Sequence, residues 1–410
     1  MLVKNLDMTM VKKYDFDGII DRRGSGCIKY DGLKDRKLIP MWIADMDFAT
    51  PDFVIDAIRK RLECPVLGYP QVPADYYGTI AGWVRKLHGW AVEEGWLRYI
   101  PGIVKGIGLA QCVLLSKGDR VVIQPPVYHP FRDVSEKNGM KVLENPLLPL
   151  YDAEGTLTGY EMDLEGLRKC AKKGARMLIL SNPQNPAGIC WDRKTLEAVA
   201  AIASETGMIV VSDEIHAEMA HKGFTHIPYA SVSKAAAKNS ISFMAPSKTF
   251  NIAGIVSSYT IVPDPAMRKK FFSFLDANEI DFPSIFSIEA AMAAYRHGAS
   301  WRRQMLKYVE SNIDFVEDYL RNNIPQVKML RPQASFLVWM DFRALGLPQA
   351  RLMEMLEKKA RIFLNDGTMF GKEGEGYARL NVGCPRSVLE QALDQLAAAV
   401  GTVRTARSGK

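Results

Sequence analysis

One lysine in this sequence is well placed for covalent chemistry. Lys248 lies in the polar segment 245–254, directly after the apolar run 241–244, and no other charged residue lies within seven positions of it. A lysine with few charged neighbours near the end of a buried strand can be desolvated, which lowers the pKa of the amine and makes it nucleophilic. The segment by itself also fits a loop lysine whose ammonium group reaches solvent.

Two more polar segments follow apolar runs. Asn185 follows the run 177–180, and Asp213 follows the run 208–211. Both patterns predict buried parallel strands, and ligands of open α/β sheets bind at the carboxyl ends of such strands. We therefore expect Asn185, Asp213 and Lys248 to face one crevice. These residue types suit pyridoxal phosphate, because a lysine can hold the aldehyde as an imine, a carboxylate can keep the pyridine nitrogen protonated and an amide can bond to the phenolic oxygen.

The order Asn185, Asp213, Lys248 and Arg379 resembles that of fold-type I pyridoxal-phosphate enzymes of the aspartate-aminotransferase superfamily. The closer likeness is to their cystalysin-type (MalY/PatB) C–S β-lyase branch. The resemblance extends from about residue 14 to residue 400. The stretches that carry it are 41–48, 182–188, 213–216, 245–254 and 379–386.

The resemblance implies a role for each of these four residues. Lys248 would attach the cofactor and remove the substrate's α-proton, Asp213 would bind the ring nitrogen and Asn185 the phenolic oxygen. Arg379 would bind the substrate α-carboxylate, as the planar guanidinium group suits two parallel hydrogen bonds. Ordinary structural explanations also exist, namely a helix N-cap for Asp213, a turn residue for Asn185 and a surface ion pair for Arg379.

Further contacts follow from the resemblance alone. It implies that Tyr128 stacks on the cofactor ring. It also implies that the cofactor is contacted by Ile103, Val104, Ser247 and His216, and that Ala44 contacts the substrate. Backbone amides at the start of a helix bind phosphate well, and 103–115 is predicted to be a helix. Tyr69 resembles a tyrosine that reaches the phosphate of the neighbouring subunit, which implies a homodimer with a shared active site. The alternative for Tyr69 is an ordinary loop tyrosine.

Some positions depart from the superfamily pattern. Many aminotransferases have a serine and an arginine on the phosphate where this chain has Ala245 and Val256. The lyase branch also lacks that arginine, so this difference favours a lyase over an aminotransferase. Gln184 and Glu218 stand where the branch often has histidine and aspartate, which leaves the substrate open.

The elements that must position these residues are predicted from periodicity. Apolar runs at 119–124, 176–181, 207–212, 239–244 and 255–262 alternate with helical patterns such as 192–205, which predicts an α/β fold with a mainly parallel sheet. The resemblance implies seven strands and the fold-type I transferase architecture. A helical stretch at 284–322, short strands near 335–341, 361–365 and 377–382, and a helix at 386–400 predict a smaller α+β domain. We expect an N-terminal extension and joining segment (1–50), a large cofactor-binding domain (51–290) and a small domain (291–410).

Composition excludes several classes of protein. Of 410 residues, 48% are hydrophobic and 24% charged, as in a globular protein, and the net charge of +7 is spread along the chain, which argues against nucleic-acid binding. The six cysteines show no metal or disulfide spacing. No apolar run reaches the ~20 residues that span a membrane, and the N-terminus lacks a signal-peptide pattern. We therefore expect a cytoplasmic enzyme.

The sequence thus predicts a pyridoxal-phosphate-dependent C–S β-lyase. Its substrate would be L-cystathionine or another S-substituted L-cysteine, and its products pyruvate, ammonia and a thiol. The alternative enzyme is an aminotransferase, which would share every step through removal of the α-proton. A third possibility, a regulatory protein that contacts a transcription factor, has no charged or aromatic surface stretch to support it.

Overall fold

The computed structural model describes residues 12–408, with side chains up to residue 402. The strands of this part of the chain are β1 (Ile39–Pro40), β2 (Leu97–Ile100), β3 (Arg120–Ile123), β4 (Lys141–Glu144), β5 (Leu148–Tyr151), β6 (Leu157–Glu161), β7 (Ala175–Ser181), β8 (Ile209–Asp213), β9 (Ser240–Met244), β10 (Ser258–Ile261), β11 (Lys328–Leu330), β12 (Leu337–Asp341), β13 (Ile362–Phe363), β14 (Asn365–Asp366) and β15 (Tyr377–Asn381). The helices are α1 (Ile28–Asp31), α2 (Asp52–Leu62), α3 (Tyr76–His88), α4 (Ile103–Leu114), α5 (Pro130–Lys137), α6 (Leu164–Lys172), α7 (Arg193–Thr206), α8 (Lys234–Lys238), α9 (Pro265–Ala277), α10 (Ile285–His297), α11 (Ala299–Asn323), α12 (Gln349–Glu354) and α13 (Arg386–Ser408). Residues 1–11 of the predicted N-terminal extension lie outside the described residues.

A seven-stranded sheet forms the centre of the fold, as predicted. Its strand order is β2-β10-β9-β8-β7-β3-β4, and the pairs from β9 through β4 are all parallel. Strands β7, β8 and β9 are buried along nearly their whole length, as expected for parallel strands covered by helices on both faces.

The last strand of the sheet departs from the parallel pattern. β10 pairs antiparallel with both β9 and β2. Only 13 residues, without an α-helix, separate the end of β9 from the start of β10, whereas parallel neighbours need a longer crossover, usually helical. This connection instead returns the chain along the neighbouring strand and carries Lys248.

The helical stretch predicted at 284–322 consists of two helices, α10 and α11, that meet at Gly298. A Cβ at Gly298 would lie 2.2 Å from Cε1 of Phe250 and 2.3 Å from the carbonyl oxygen of Ala294. Gly298 therefore permits the close approach of the α10–α11 junction to the Phe250 ring, a few residues beyond Lys248.

The C-terminal part contains an antiparallel sheet of order β11-β12-β15-β14, in agreement with the predicted α+β arrangement. The predicted strand at 361–365 is two short strands, of which β13 pairs with β1 of the N-terminal segment and β14 with β15. One hydrophobic cluster contains Phe16, Trp301, Leu337 and Leu393, so the N-terminal segment packs with the C-terminal part. The boundary near residue 290 stays a prediction.

None of the helices between residues 12 and 408 combines the length and apolar character needed to cross a membrane.

Candidate active site

The ends of β7, β8 and β9 bring three predicted residues together. Ser181 pairs with Asp213, and Asp213 pairs with Phe243, so the strand ends are level with one another. Beyond them lies a cavity of about 110 Å³, lined by Ala44, Ile103, Val104, Tyr128, Ser181, Pro183, Asn185, Asp213, Ile215, His216 and Lys248. The cavity lies where open α/β sheets bind ligands. Eight of the eleven predicted site residues therefore line one cavity.

Lys248 is half-buried at this cavity. Its Nζ donates a hydrogen bond of 2.6 Å to the carbonyl oxygen of Ala44. Burial, together with the nearby positive charge of Arg379, lowers the pKa of the amine to about 8, although the carboxylates of Asp45 and Asp213 act in the opposite direction. Roughly a tenth of the amine is therefore neutral at pH 7, and the neutral form is the one that acts as nucleophile and general base.

Asp213 ends β8 and faces the same cavity. One carboxylate oxygen accepts a 3.1 Å hydrogen bond from the backbone amide of Ile215. Among residues 12–402, no cationic side chain forms an ion pair with it, and burial raises its pKa to about 7. A buried carboxylate without a cation is costly, so this position favours a cationic N–H from a ligand.

The first backbone N–H groups of α4 have no partner within the helix. Ile103 and Val104 are its first two residues, and no side chain among residues 12–402 caps the helix. Gly102 precedes them at φ 118°, a conformation that glycine adopts without strain. Free amides at a helix N-terminus favour an anion such as phosphate.

Arg379 lies beside the cavity rather than in its lining. Its guanidinium group donates hydrogen bonds to Asn185 Oδ1 (3.0 Å), Asn365 Oδ1 (2.6 Å) and the carbonyl oxygen of Trp42 (3.1 Å). Burial lowers its pKa to about 10, and its Nε has no partner among the described residues. Arg379 is thus a buried cation held by neutral groups, which suits the binding of a carboxylate.

The other predicted residues differ in their placement. The ring of His216 lines the cavity, its Nδ1 has no partner among residues 12–402, and burial lowers its pKa to about 3. Ser247 is buried next to Lys248 but is absent from the cavity lining. Tyr69 is 99% exposed and lines a separate surface depression with Ser284 and Phe286. These roles stay predictions.

A segment that sequence patterns did not identify as a unit closes the site. Ala44 lines the cavity, and the carbonyl groups of Trp42 and Ala44 accept hydrogen bonds from Arg379 and Lys248. The Asn251 side chain accepts from the Met46 amide (2.9 Å) and donates to the carbonyl groups of Met46 (2.9 Å) and Phe48 (2.7 Å). Asn251 has φ 54°, a left-handed conformation that asparagine tolerates better than most residues. Only the stretch quoted for the family resemblance hinted at this role.

Replacing Asn251 with glycine should destabilise the cofactor-free protein. The variant loses three hydrogen bonds while glycine keeps the left-handed backbone, so we expect the free energy of unfolding to fall by about 2–4 kcal/mol. Asn251→Ala should cost roughly 1 kcal/mol more because alanine is strained at this φ. Guanidinium denaturation measures both differences. A glycine variant as stable as the original protein would show that these bonds do not hold the 41–48 segment.

The residues present fit pyridoxal phosphate. Asp213 is a buried carboxylate that pairs with no cationic side chain among residues 12–402, the amides of Ile103 and Val104 begin the helix, and Lys248 is a half-buried amine with a lowered pKa. Tyr128 lines the same cavity. These groups match a protonated ring nitrogen, a phosphate and an aldehyde, and the Asp213 carboxylate would otherwise be buried without a cation.

Comparison with known proteins gives a consistent result. The family model for aminotransferase class I and II matches residues 37–396. Cystathionine beta-lyase PatB from Bacillus subtilis is 38% identical over 393 residues, which cover 94% of this chain and 100% of that protein.

Solved structures agree with this family match. Cystalysin from Treponema denticola, a structure that contains pyridoxal 5'-phosphate, is 30% identical and superposes with a TM-score of 0.90, covering 96% of this chain and 100% of the other. The pyridoxal-phosphate-bound C-S lyase from Staphylococcus hominis is 31% identical, with a TM-score of 0.86 and coverage of 94% and 99%. The predicted fold class is therefore confirmed.

Proposed function

Since this chain belongs to the aminotransferase class I and II family, we propose that it is a pyridoxal-phosphate-dependent C–S β-lyase. Its substrates are L-cystathionine or other S-substituted L-cysteines. One molecule of substrate and one of water give pyruvate, ammonia and a thiol. The names of the relatives support this activity, since PatB is a cystathionine beta-lyase and the Staphylococcus hominis structure is a C-S lyase.

The observation that carries the proposal is the arrangement of ionisable groups with shifted pKa values around one cavity. Lys248 and Asp213 line one cavity, and Arg379 lies beside it, bonded to the cavity residue Asn185. These are an amine, an acid and a carboxylate-binding group, within reach of a single small amino acid. Groups whose environments shift their pKa values in a cleft mark a functional site.

The cofactor, when bound, supplies an aldehyde that bonds covalently to amines and a ring that accepts the electron pair left by the α-proton. The protein supplies the rest. Arg379 binds the α-carboxylate, and its bond to Asn185 orients the guanidinium group. The neutral amine of Lys248 takes the α-proton, and the Ala44 carbonyl holds the resulting ammonium in place. Asp213 stabilises a proton on the ring nitrogen. The Cβ–S bond then breaks, and the sulfur leaves with its electron pair.

The experiment that tests the function is pyruvate release from L-cystathionine by purified protein with added pyridoxal phosphate. Many turnovers per active site, with no 2-oxo acid present, are expected, because elimination needs no amino acceptor. Absence of pyruvate from L-cystathionine and from other S-substituted cysteines, despite bound cofactor, would contradict the lyase function. A requirement for a 2-oxo acid would instead establish the aminotransferase alternative.

The enzyme is also proposed to be a homodimer in which Tyr69 contributes to the neighbouring active site. Support comes from the exposed fractions of Val66 (70%), Leu67 (58%) and Tyr69 (99%), because consecutive exposed apolar side chains are typical of a surface covered in an assembly. A cytoplasmic location is proposed as well, since all six cysteines are free.

Tyr69→Phe tests the shared site. The variant should remain dimeric in analytical ultracentrifugation, yet bind pyridoxal phosphate about tenfold more weakly, because one hydrogen bond to a charged phosphate is lost. Tyr151→Phe is the matched control, as Tyr151 is another exposed tyrosine, on β5. A monomer at micromolar concentration, or equal cofactor affinity in both variants, would contradict the shared site.

A further inference from the structure

A second cavity, of about 170 Å³, adjoins the candidate active site and is called the side pocket here. Residues 127–133 form one wall and residues 368–371 the other. Tyr128 lines both cavities. Phe370 lines the side pocket, and its ring lies 5.0 Å from the guanidinium carbon of Arg379. The side pocket is therefore next to the group that binds the substrate α-carboxylate.

The polar groups of the side pocket carry both signs of charge. His129, Arg132 and Asp133 all line it. Burial lowers the pKa of the His129 ring, which favours its neutral form, so the charged groups of the pocket are Arg132 and Asp133. Nη1 of Arg132 pairs with Glu136 and Nη2 with Glu144, which leaves some of the five guanidinium N–H donors for another acceptor. Asp133 forms no ion pair with any side chain in the described part of the chain.

Both walls also carry apolar side chains. Val127, Met369 and Phe370 line the pocket together with the charged residues. This combination suits a short hydrocarbon chain that ends in a carboxylate and an ammonium group, because the chain packs on apolar walls while the two charges meet Arg132 and Asp133.

We propose that the side pocket binds the distal end of the leaving group, and that it selects S-substituted cysteines whose substituent ends in an α-amino acid. Arg132 binds the distal carboxylate, and Asp133 binds the distal ammonium group. This inference rests on the proposed lyase function. It supplies the second arginine for a distal carboxylate, which sequence patterns did not reveal.

The test compares two substrates. L-Cystathionine has a charged distal end, and S-methyl-L-cysteine has none. In Arg132→Gln, the ratio of kcat/KM for cystathionine over S-methyl-L-cysteine should fall by about tenfold, since one charge-assisted bond is lost for the first substrate only. Asp133→Asn should lower the same ratio. Arg168→Gln should leave it unchanged, because Arg168 is similarly exposed and pairs with Glu205 away from the pocket. An unchanged ratio in both pocket variants, or an equal fall for both substrates, would overturn the inference.

A binding measurement separates this inference from the lyase function. Lys248→Ala loaded with pyridoxal phosphate can bind substrates without turning them over, and calorimetry gives their Kd values. The preference for cystathionine should again fall by about tenfold when Arg132→Gln is added. If the original protein releases no pyruvate from either substrate, the lyase function fails. A preference that Arg132→Gln does not alter in this binding assay overturns the side pocket alone.

Discussion

Lys248→Ala is expected to lower pyruvate release by about 10³-fold or more, because one amine both attaches the cofactor and acts as the general base. The structure gives the physical reason. Lys248 is half-buried, its Nζ bonds to the Ala44 carbonyl, and its lowered pKa leaves part of the amine neutral. No other lysine lines the cavity among the described residues, so no second amine can take over either task.

The covalent role has a readout independent of turnover. Borohydride should fix pyridoxal phosphate to the original chain, and mass spectrometry of its peptides should find the label on Lys248. Lys248→Ala should carry no label, and Lys248→Arg should carry none either, since the guanidinium group is not nucleophilic at neutral pH. Lys238→Ala, which changes an exposed lysine before β9, serves as the control. A label that persists after replacement of Lys248 would contradict the assignment.

Much of this site could be predicted because its residues follow strand ends. Apolar runs before Asn185, Asp213 and Lys248 indicated buried strands, and parallel strands must end at the same edge of a sheet. The observed register, with Ser181 opposite Asp213 and Asp213 opposite Phe243, makes that edge level. Local sequence contains this information, because strand length and burial are set within a few residues.

The remainder depends on contacts between residues far apart in the chain. The bond from Lys248 to Ala44 spans 204 positions and that from Arg379 to Trp42 spans 337. Neither periodicity nor propensity can predict which loop covers a site over such distances. The antiparallel direction of β10 was also unpredicted, since an apolar run does not reveal its direction. The side pocket forms only where residues 127–133 meet residues 368–371.

Asp213→Asn should have opposite effects on catalysis and on the stability of the cofactor-free protein. Pyruvate release should fall by about 10²–10³-fold, because an amide cannot hold a proton on the ring nitrogen as a carboxylate does. The cofactor-free protein, however, should become more stable at pH 8. Its Asp213 is buried and pairs with no cationic side chain among residues 12–402, and asparagine removes the cost of burying that charge.

The pH dependence gives the sign of this effect. Because the folded-state pKa is raised from 3.8 to about 7, the folded protein binds the proton more tightly than the unfolded chain does. Stability from this group is therefore complete below about pH 4 and is lost as the pH rises to about 7. The gain in the free energy of unfolding caused by Asp213→Asn should grow with pH and reach at most about 4 kcal/mol near pH 8.

A second buried aspartate provides the control for this experiment. Asp341 is as buried as Asp213, at 7% exposure, but Arg343 donates hydrogen bonds to both of its carboxylate oxygens, at 2.9 Å and 2.6 Å. Asp341→Asn should therefore destabilise the protein at pH 8, since it leaves the guanidinium group without its counterion. Guanidinium denaturation of the cofactor-free proteins at pH 5.5 and pH 8 measures both changes. If Asp213→Asn is also destabilising at pH 8, the Asp213 carboxylate has a stabilising partner in the cofactor-free protein, which would contradict its role as the partner of a cationic ring nitrogen.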